Sequence, residues 1–161
     1  GGQVEREQMV AELAAQLRRR GWWLACAESC TGGGIAAALT ELAGSSAWFE
    51  CGFVTYSNQA KQEMLGVSEQ TLARHGAVSR ETVLEMAAGA LLRSHVQLSV
   101  AVSGIAGPGG GTPEKPVGTV WFAWATQETA VADCRVFSGD RAQVRGAAVD
   151  AALQGLLEHA R

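Results

Sequence analysis

Ala27-Glu28-Ser29-Cys30-Thr31-Gly32-Gly33-Gly34 connects two segments of different character. An apolar run, Trp22 to Cys26, precedes it and is short enough for a buried strand, while Ile35 to Leu39 follows with a helical composition. A strand that passes through hydroxyls and glycines into a helix gathers N–H groups at a positively polarised helix N-terminus, which suits an anion such as phosphate. No lysine follows the glycines, so the segment is not a P-loop. The alternative interpretation is a helix cap with a tight turn.

The elements on either side of this stretch alternate between helix and strand. Hydrophobic periodicity and capping residues predict helices over 4–20, 32–42, 57–64, 67–74, 79–93 and 141–159, and strands over 22–27, 47–56, 98–102, 117–126 and 129–137. The last two strands are joined by a tight turn and form an antiparallel hairpin. The order predicts one α/β domain over 1–161: a three-layer α/β/α arrangement with a mixed sheet, the hairpin near the C-terminus and a closing C-terminal helix.

Two predicted strands end in glycines and hydroxyls. One loop follows Ala27, and the other begins at Ser103 and continues to Gly111. Ligands of open α/β sheets bind at the carboxyl ends of the strands. We therefore expect the two loops to meet at one ligand pocket.

Composition restricts the class of protein. The 161 residues are 47% hydrophobic with a net charge of −3, which argues against nucleic acid as the main partner. We find no signal peptide and no apolar stretch that could span a membrane, so we expect a cytoplasmic protein. The four cysteines form no C-x-x-C pair, so reduced thiols are expected and a zinc site is not. Gly1 and Gly2 are interpreted as a remnant of expression.

The inventory of catalytic groups is narrow. The three histidines fall in a predicted turn or near helix ends, so a Ser-His-Asp arrangement lacks its base. Lys61 and Lys115 are the only lysines. Burial could lower the pKa of Lys61 enough to make it a general base, in which case a Ser–Lys pair would activate a hydroxyl, although an exposed helix residue is the alternative. The candidate hydroxyls are Ser29, Thr31, Ser45, Ser46, Tyr56 and Ser103.

Five ordered motifs resemble the CinA C-terminal family, and they extend over nearly the whole chain. They are residues 27–33, 44–46, 56–61, 104–108 and 115–120. The resemblance implies a single domain without cofactor or metal. The implied activity is hydrolysis of the carboxamide of nicotinamide mononucleotide to nicotinate mononucleotide and ammonia by a Ser–Lys mechanism, within pyridine-nucleotide recycling.

The resemblance also implies roles for individual residues. Ser46 is expected to attack, with Ser29 as its rival, while Lys61 transfers the proton and Tyr56 donates a supporting hydrogen bond. The remaining positions are expected to contact the phosphate, the oxyanion or another part of the substrate; they are Cys30, Thr31, Gly32, Gly33, Ser103, Gly104, Gly107, Arg141 and Arg145. The family commonly has threonine at the position of Ser103, so the hydroxyl is retained and a methyl group is lost.

Two other functions are compatible with the same residues. One is a non-catalytic module that binds a nucleotide or phosphate through the glycine loops. The other is a hydrolase that uses the Cys30 thiol. We also expect a homodimer or higher homo-oligomer, because four aromatic residues could be exposed: Trp48, Phe49, Trp121 and Trp124.

Overall fold

The computed structural model describes residues 2–161, and Gly1 lies outside the described residues. The helices are α1 (Gly2–Arg20), α2 (Gly34–Thr40), α3 (Asn58–Leu65), α4 (Glu69–His75), α5 (Arg80–Ser94) and α6 (Arg141–Ala160). The strands are β1 (Leu24–Glu28), β2 (Phe49–Val54), β3 (Leu98–Gly104), β4 (Thr119–Ala125) and β5 (Ala130–Val136). A 3-10 turn, Ser45–Ala47, precedes β2.

These strands form one mixed sheet in the order β2-β1-β3-β4-β5. Strand β1 pairs in parallel with both β2 and β3, whereas β4 runs antiparallel to β3 and to β5. A turn between Thr126 and Thr129 closes the β4–β5 hairpin, with the Thr126 N–H donating to the Thr129 carbonyl at 2.8 Å. The predicted mixed sheet and hairpin are confirmed.

Helices cover both faces of the sheet. Alternation along β3 sends Val100 and Val102 into a core shared with α1, α2 and α6, and sends Ala101 into a second core against α5. This alternation follows from the two-residue repeat of a strand. The three-layer architecture, with α6 as the closing helix, is therefore confirmed.

The boundaries of α2 differ from the expectation. The helix begins at Gly34 rather than Gly32, because Gly32 and Gly33 have φ angles of 59° and 102° in the left-handed region. Residues with such angles cannot belong to a right-handed helix. Strand β2 likewise ends at Val54, which leaves Thr55 and Tyr56 in a connection to α3.

Two of the four aromatics offered as an exposed surface are core residues. Trp48 and Trp124 are buried, and Phe49 and Trp121 are half-buried. Trp48 and Trp124 therefore cannot contribute the exposed aromatic surface from which an oligomer was expected. Oligomerisation stays a prediction. Across residues 2–161, no helix combines the length and apolarity needed to cross a bilayer.

Candidate active site

A cavity of about 290 Å³ lies at the carboxyl ends of β1 and β3. Both glycine loops contribute to it, as expected, together with the start of α3, the turn before α5 and the start of α6. The lining residues are Ser29, Cys30, Tyr56, Asn58, Lys61, Ala77, Val78, Ser103, Gly104, Ile105, Ala106, Gly107, Gly109, Gly110 and Arg141.

Lys61 reaches this cavity from inside the protein. Helix α3 begins where Ser57 caps it, its hydroxyl accepting from the N–H of Ala60, and the helix packs against α5. This placement turns Lys61 inward, where it is only 1% exposed. Its Nζ lies 3.1 Å from the Ser29 hydroxyl oxygen and donates to the carbonyl of Thr55 at 2.8 Å.

Burial changes the acidity of the Lys61 ammonium. Removing water from the charged form lowers its pKa from 10.5 to about 8, while the nearby Cys30 partly opposes the shift. With a pKa near 8, about one-tenth of the amine is neutral at pH 7. The neutral amine can accept the hydroxyl proton of Ser29, and the ammonium can donate to the same oxygen.

The turn that carries Ser29 is held from within by Glu28, whose side chain is completely buried. The Glu28 carboxylate accepts from the Thr31 hydroxyl at 2.6 Å and from the N–H groups of Ile35 and Ala36 at 2.9 and 3.0 Å. A negative charge is stabilised at this end of a helix. The N-terminus of α2 is thus occupied by the protein's own carboxylate.

Three residues of this loop that were expected to contact the substrate lie away from the cavity, and their role stays a prediction. The Thr31 hydroxyl donates to the Glu28 carboxylate. Thr31, Gly32 and Gly33 do not line the cavity. Arg145, also expected to contact the substrate, lies outside the cavity. The Arg145 guanidinium donates to the carbonyls of Cys30 and Thr31 at 3.1 and 3.3 Å and so stabilises the turn that follows Ser29.

Ser46 lies far from Lys61. It is exposed in the 3-10 turn before β2, whereas Lys61 follows the carboxyl end of that strand. The six residues of β2 span roughly 20 Å. Within one chain, Ser29 and not Ser46 is therefore the serine that lies beside the amine, and the identity of the attacking serine stays a prediction.

Sequence and structural comparisons are consistent with this architecture. Residues 6–160 match the CinA C-terminal domain family. The chain belongs to this family. Two similar proteins are each named nicotinamide-nucleotide amidohydrolase PncC. The one from Enterobacter agglomerans is 56% identical over 151 residues, covering 93% of this chain and 92% of the relative. The one from Escherichia coli K12 is 55% identical over 150 residues, covering 92% and 91%.

A solved structure has nearly the same fold. The competence/damage inducible protein CihA from Agrobacterium tumefaciens superposes with a TM-score of 0.94 at 46% identity, covering all of this chain and 97% of that one. The predicted membership of the CinA C-terminal family is confirmed.

Other expected residues of this CinA domain do reach the cavity. Ser103 is buried at the end of β3, and Gly104 and Gly107 follow it along the second loop. A side chain at Gly107 would meet Val117 Cγ1 at 2.5 Å, so only glycine lets the loop pass there. Arg141 donates to the Gly107 carbonyl at 2.7 Å and to the Tyr56 hydroxyl at 2.9 Å.

The Tyr56 hydroxyl is thus bound to Arg141, at the mouth of the cavity, where the tyrosine is 59% exposed. Asn58 lines the cavity but was not predicted as a site residue, although it lies within the family motif at residues 56–61. Ala77 and Val78 were also not predicted, and they carry no polar group that could have pointed to them.

The Cys30 thiol lines the CinA cavity, but its chemistry is unfavourable for attack. Burial raises its pKa to about 11, so the thiol stays protonated near neutral pH. Within residues 2–161, no group of three or more His, Cys, Asp or Glu side chains is arranged to hold a metal ion.

Proposed function

We propose that this protein hydrolyses the carboxamide of nicotinamide mononucleotide, giving nicotinate mononucleotide and ammonia. One observation carries the proposal: the buried amine of Lys61 lies 3.1 Å from the Ser29 hydroxyl oxygen inside a cavity. The names of the two relatives with more than half of their residues identical support the substrate. The cavity volume lies just below the range of about 300–1,000 Å³ that is typical of small-molecule sites.

The first half of the reaction forms an acyl-enzyme. Neutral Lys61 accepts the proton of the Ser29 hydroxyl, and Oγ attacks the carboxamide carbon to give a tetrahedral intermediate. The resulting ammonium of Lys61 donates its proton to the departing nitrogen. Ammonia leaves as the carbon–nitrogen bond breaks, and the nicotinoyl group remains as an ester of Ser29.

The second half returns the enzyme to its starting state. The amine of Lys61, again neutral, accepts a proton from a water molecule that attacks the ester carbon. The ammonium then returns a proton to Ser29 Oγ as the ester bond breaks, which releases the nicotinate product. Because one amine serves as base and acid in both halves, the sequence of steps uses neither metal nor cofactor.

The glycine-rich loop after β3 and the side chain of Arg141 are assigned to substrate binding. The N–H groups of Ala106, Gly107, Gly109 and Gly110, which line the cavity, are the proposed donors to the oxyanion, each worth about 3 kcal/mol. Arg141 is the cation at the mouth of the cavity, so we assign it to the phosphate of the mononucleotide. This chemistry belongs to pyridine-nucleotide recycling.

Ammonia release tests the proposed function. The purified protein is supplied with nicotinamide mononucleotide or with nicotinamide riboside, which lacks the phosphate. We expect ammonia from the mononucleotide, weaker release from the riboside, and none from Lys61→Met. Calorimetry on the same samples examines the alternative function, because binding of the mononucleotide without ammonia would identify a non-catalytic module. Full activity of a Cys30→Ala variant would exclude attack by Cys30.

A further inference from the structure

One wall of the cavity is a loop, residues 105–118, that we call the glycine loop. Ile105, Ala106, Gly107, Gly109 and Gly110 of this loop line the cavity. A second wall is the turn between α4 and α5, where residues 77 and 78 line the cavity. The width of the cavity therefore depends on what holds these two segments together.

The glycine loop has two side-chain anchors to the helices. At its base, Arg141 of α6 donates to the Gly107 carbonyl at 2.7 Å. Near its other end, Lys115 Nζ donates to the carbonyl of His75 at 2.8 Å. Within residues 2–161, this second bond is the only hydrogen bond that joins residues 108–116 to a helix. Lys115 thus bridges the two walls of the cavity.

The bridge is electrostatically favourable. His75 is the last residue of α4, so its carbonyl lies at the negative end of the helix dipole, where a lysine ammonium is stabilised. A turn within the glycine loop orients the lysine: the Lys115 N–H donates to the Thr112 hydroxyl at 3.0 Å, and the Thr112 N–H donates to the Lys115 carbonyl at 2.9 Å. The side chain is presented to α4 by a local hydrogen-bonded structure.

We propose that Lys115 is a positioning residue that tethers the glycine loop to α4 and thereby sets the affinity of the cavity for the mononucleotide. Lys115 does not line the cavity, so it acts through the loop backbone and not on the reacting atoms. The proposal rests on the proposed function for its kinetic consequence, but the tether itself is a property of the free protein.

The experiment compares Lys115→Met with Arg20→Met. Arg20 makes a similar contact elsewhere, donating to the main-chain oxygen of Arg161 at 2.6 Å, and it precedes β1, at the end of the strands away from the cavity, so it controls for the loss of an exposed bond from a cation to a main-chain oxygen. For Lys115→Met we expect KM to rise about three- to tenfold, with kcat changed by less than about twofold. Lys115→Arg should restore KM, and Arg20→Met should match wild type.

Hydrogen exchange of the free proteins gives an independent readout. The hydrogen-bonded amides of this segment, those of Thr112 and Lys115, should exchange faster in Lys115→Met than in wild type or Arg20→Met. Unchanged exchange overturns the tether, whether or not the protein releases ammonia. Faster exchange with an unchanged KM, or a fall in kcat alone, overturns the link to affinity. A wild-type protein that releases no ammonia would contradict the proposed function, and exchange would still decide the tether.

Discussion

The side-chain nitrogen of Lys61 lies 3.1 Å from the hydroxyl oxygen of Ser29, and the two residues come from different elements, 32 positions apart. Ser29 follows β1, and Lys61 lies in α3. Burial of the Lys61 side chain lowers its pKa to about 8, so part of the amine is neutral near neutral pH and can accept the Ser29 proton.

Activity should increase with pH. If neutral Lys61 is the base, kcat/KM rises as the ammonium loses its proton, with a midpoint near the pKa of about 8 and a plateau above it. Lys61→Arg should be inactive at every pH because guanidinium stays protonated. The measurement is ammonia release from pH 6 to 10. A profile that falls through pH 8 would mean that the ammonium, not the amine, is required.

The same pKa has a consequence for stability. Unfolded Lys61 keeps its proton up to about pH 10.5 and the folded form up to about pH 8, so between these values the unfolded state binds more protons and stability rises with pH. Relative to Lys61→Met, the free energy of unfolding of the wild type should gain about 2 to 3 kcal/mol from pH 7 to 10. Urea unfolding of both proteins measures it. A constant difference would show that the folded ammonium is not destabilised by burial.

Glu28 should support Ser29 by holding the turn. Glu28→Gln replaces an acceptor oxygen by an amide that cannot accept from a backbone N–H, so one of the Ile35 and Ala36 bonds is lost. We expect a stability loss of about 1–3 kcal/mol and a lower kcat. Glu41→Gln, at the other end of α2, is the matched control, since its side chain is exposed. Equal behaviour of the two variants in unfolding and kinetics would contradict the assignment.

Substitutions of Arg141 and Arg145, the two arginines of α6, should differ in how they change the kinetics with the mononucleotide and with the riboside. Arg141→Met should raise KM more for the mononucleotide than for the riboside, because the loss of the Gly107 anchor affects both substrates and the loss of the phosphate contact affects only the mononucleotide. Arg145→Met should instead lower kcat for both substrates, since Arg145 braces the turn through the Cys30 and Thr31 carbonyls. Steady-state kinetics with both substrates measures this. An Arg145→Met defect confined to the mononucleotide would place Arg145 at the phosphate.

Local patterns in the sequence were enough to predict much of the fold. The apolar run before Ser29 and the glycines after it specify a strand, a turn and a helix, and the hairpin follows from two strand patterns around a tight turn. The meeting of the two glycine loops was also predicted, because β1 and β3 are parallel and their carboxyl ends share one edge of the sheet.

The distribution of roles within the site required the structure. Nothing in the sequence reveals that Glu28 turns inward and occupies the N-terminus of α2, which removes that position as an anion site. Ser46 precedes β2, whereas Ser29 follows β1. Because these two strands are parallel, the two serines lie near opposite ends of the strands, and only Ser29 is at the end where Lys61 lies. Burial of Lys61 likewise depends on how α3 packs against α5, which periodicity does not report.

Ammonia release by Ser29→Ala and Ser46→Ala, measured side by side with nicotinamide mononucleotide, tests the central claim most directly. Both variants remove one hydroxyl, but only Ser29 lies beside the amine of Lys61. We predict that Ser29→Ala loses at least about a thousandfold in kcat and that Ser46→Ala stays within about twofold of wild type. A folded Ser29→Ala protein with near wild-type turnover, or an inactive Ser46→Ala, would contradict the account.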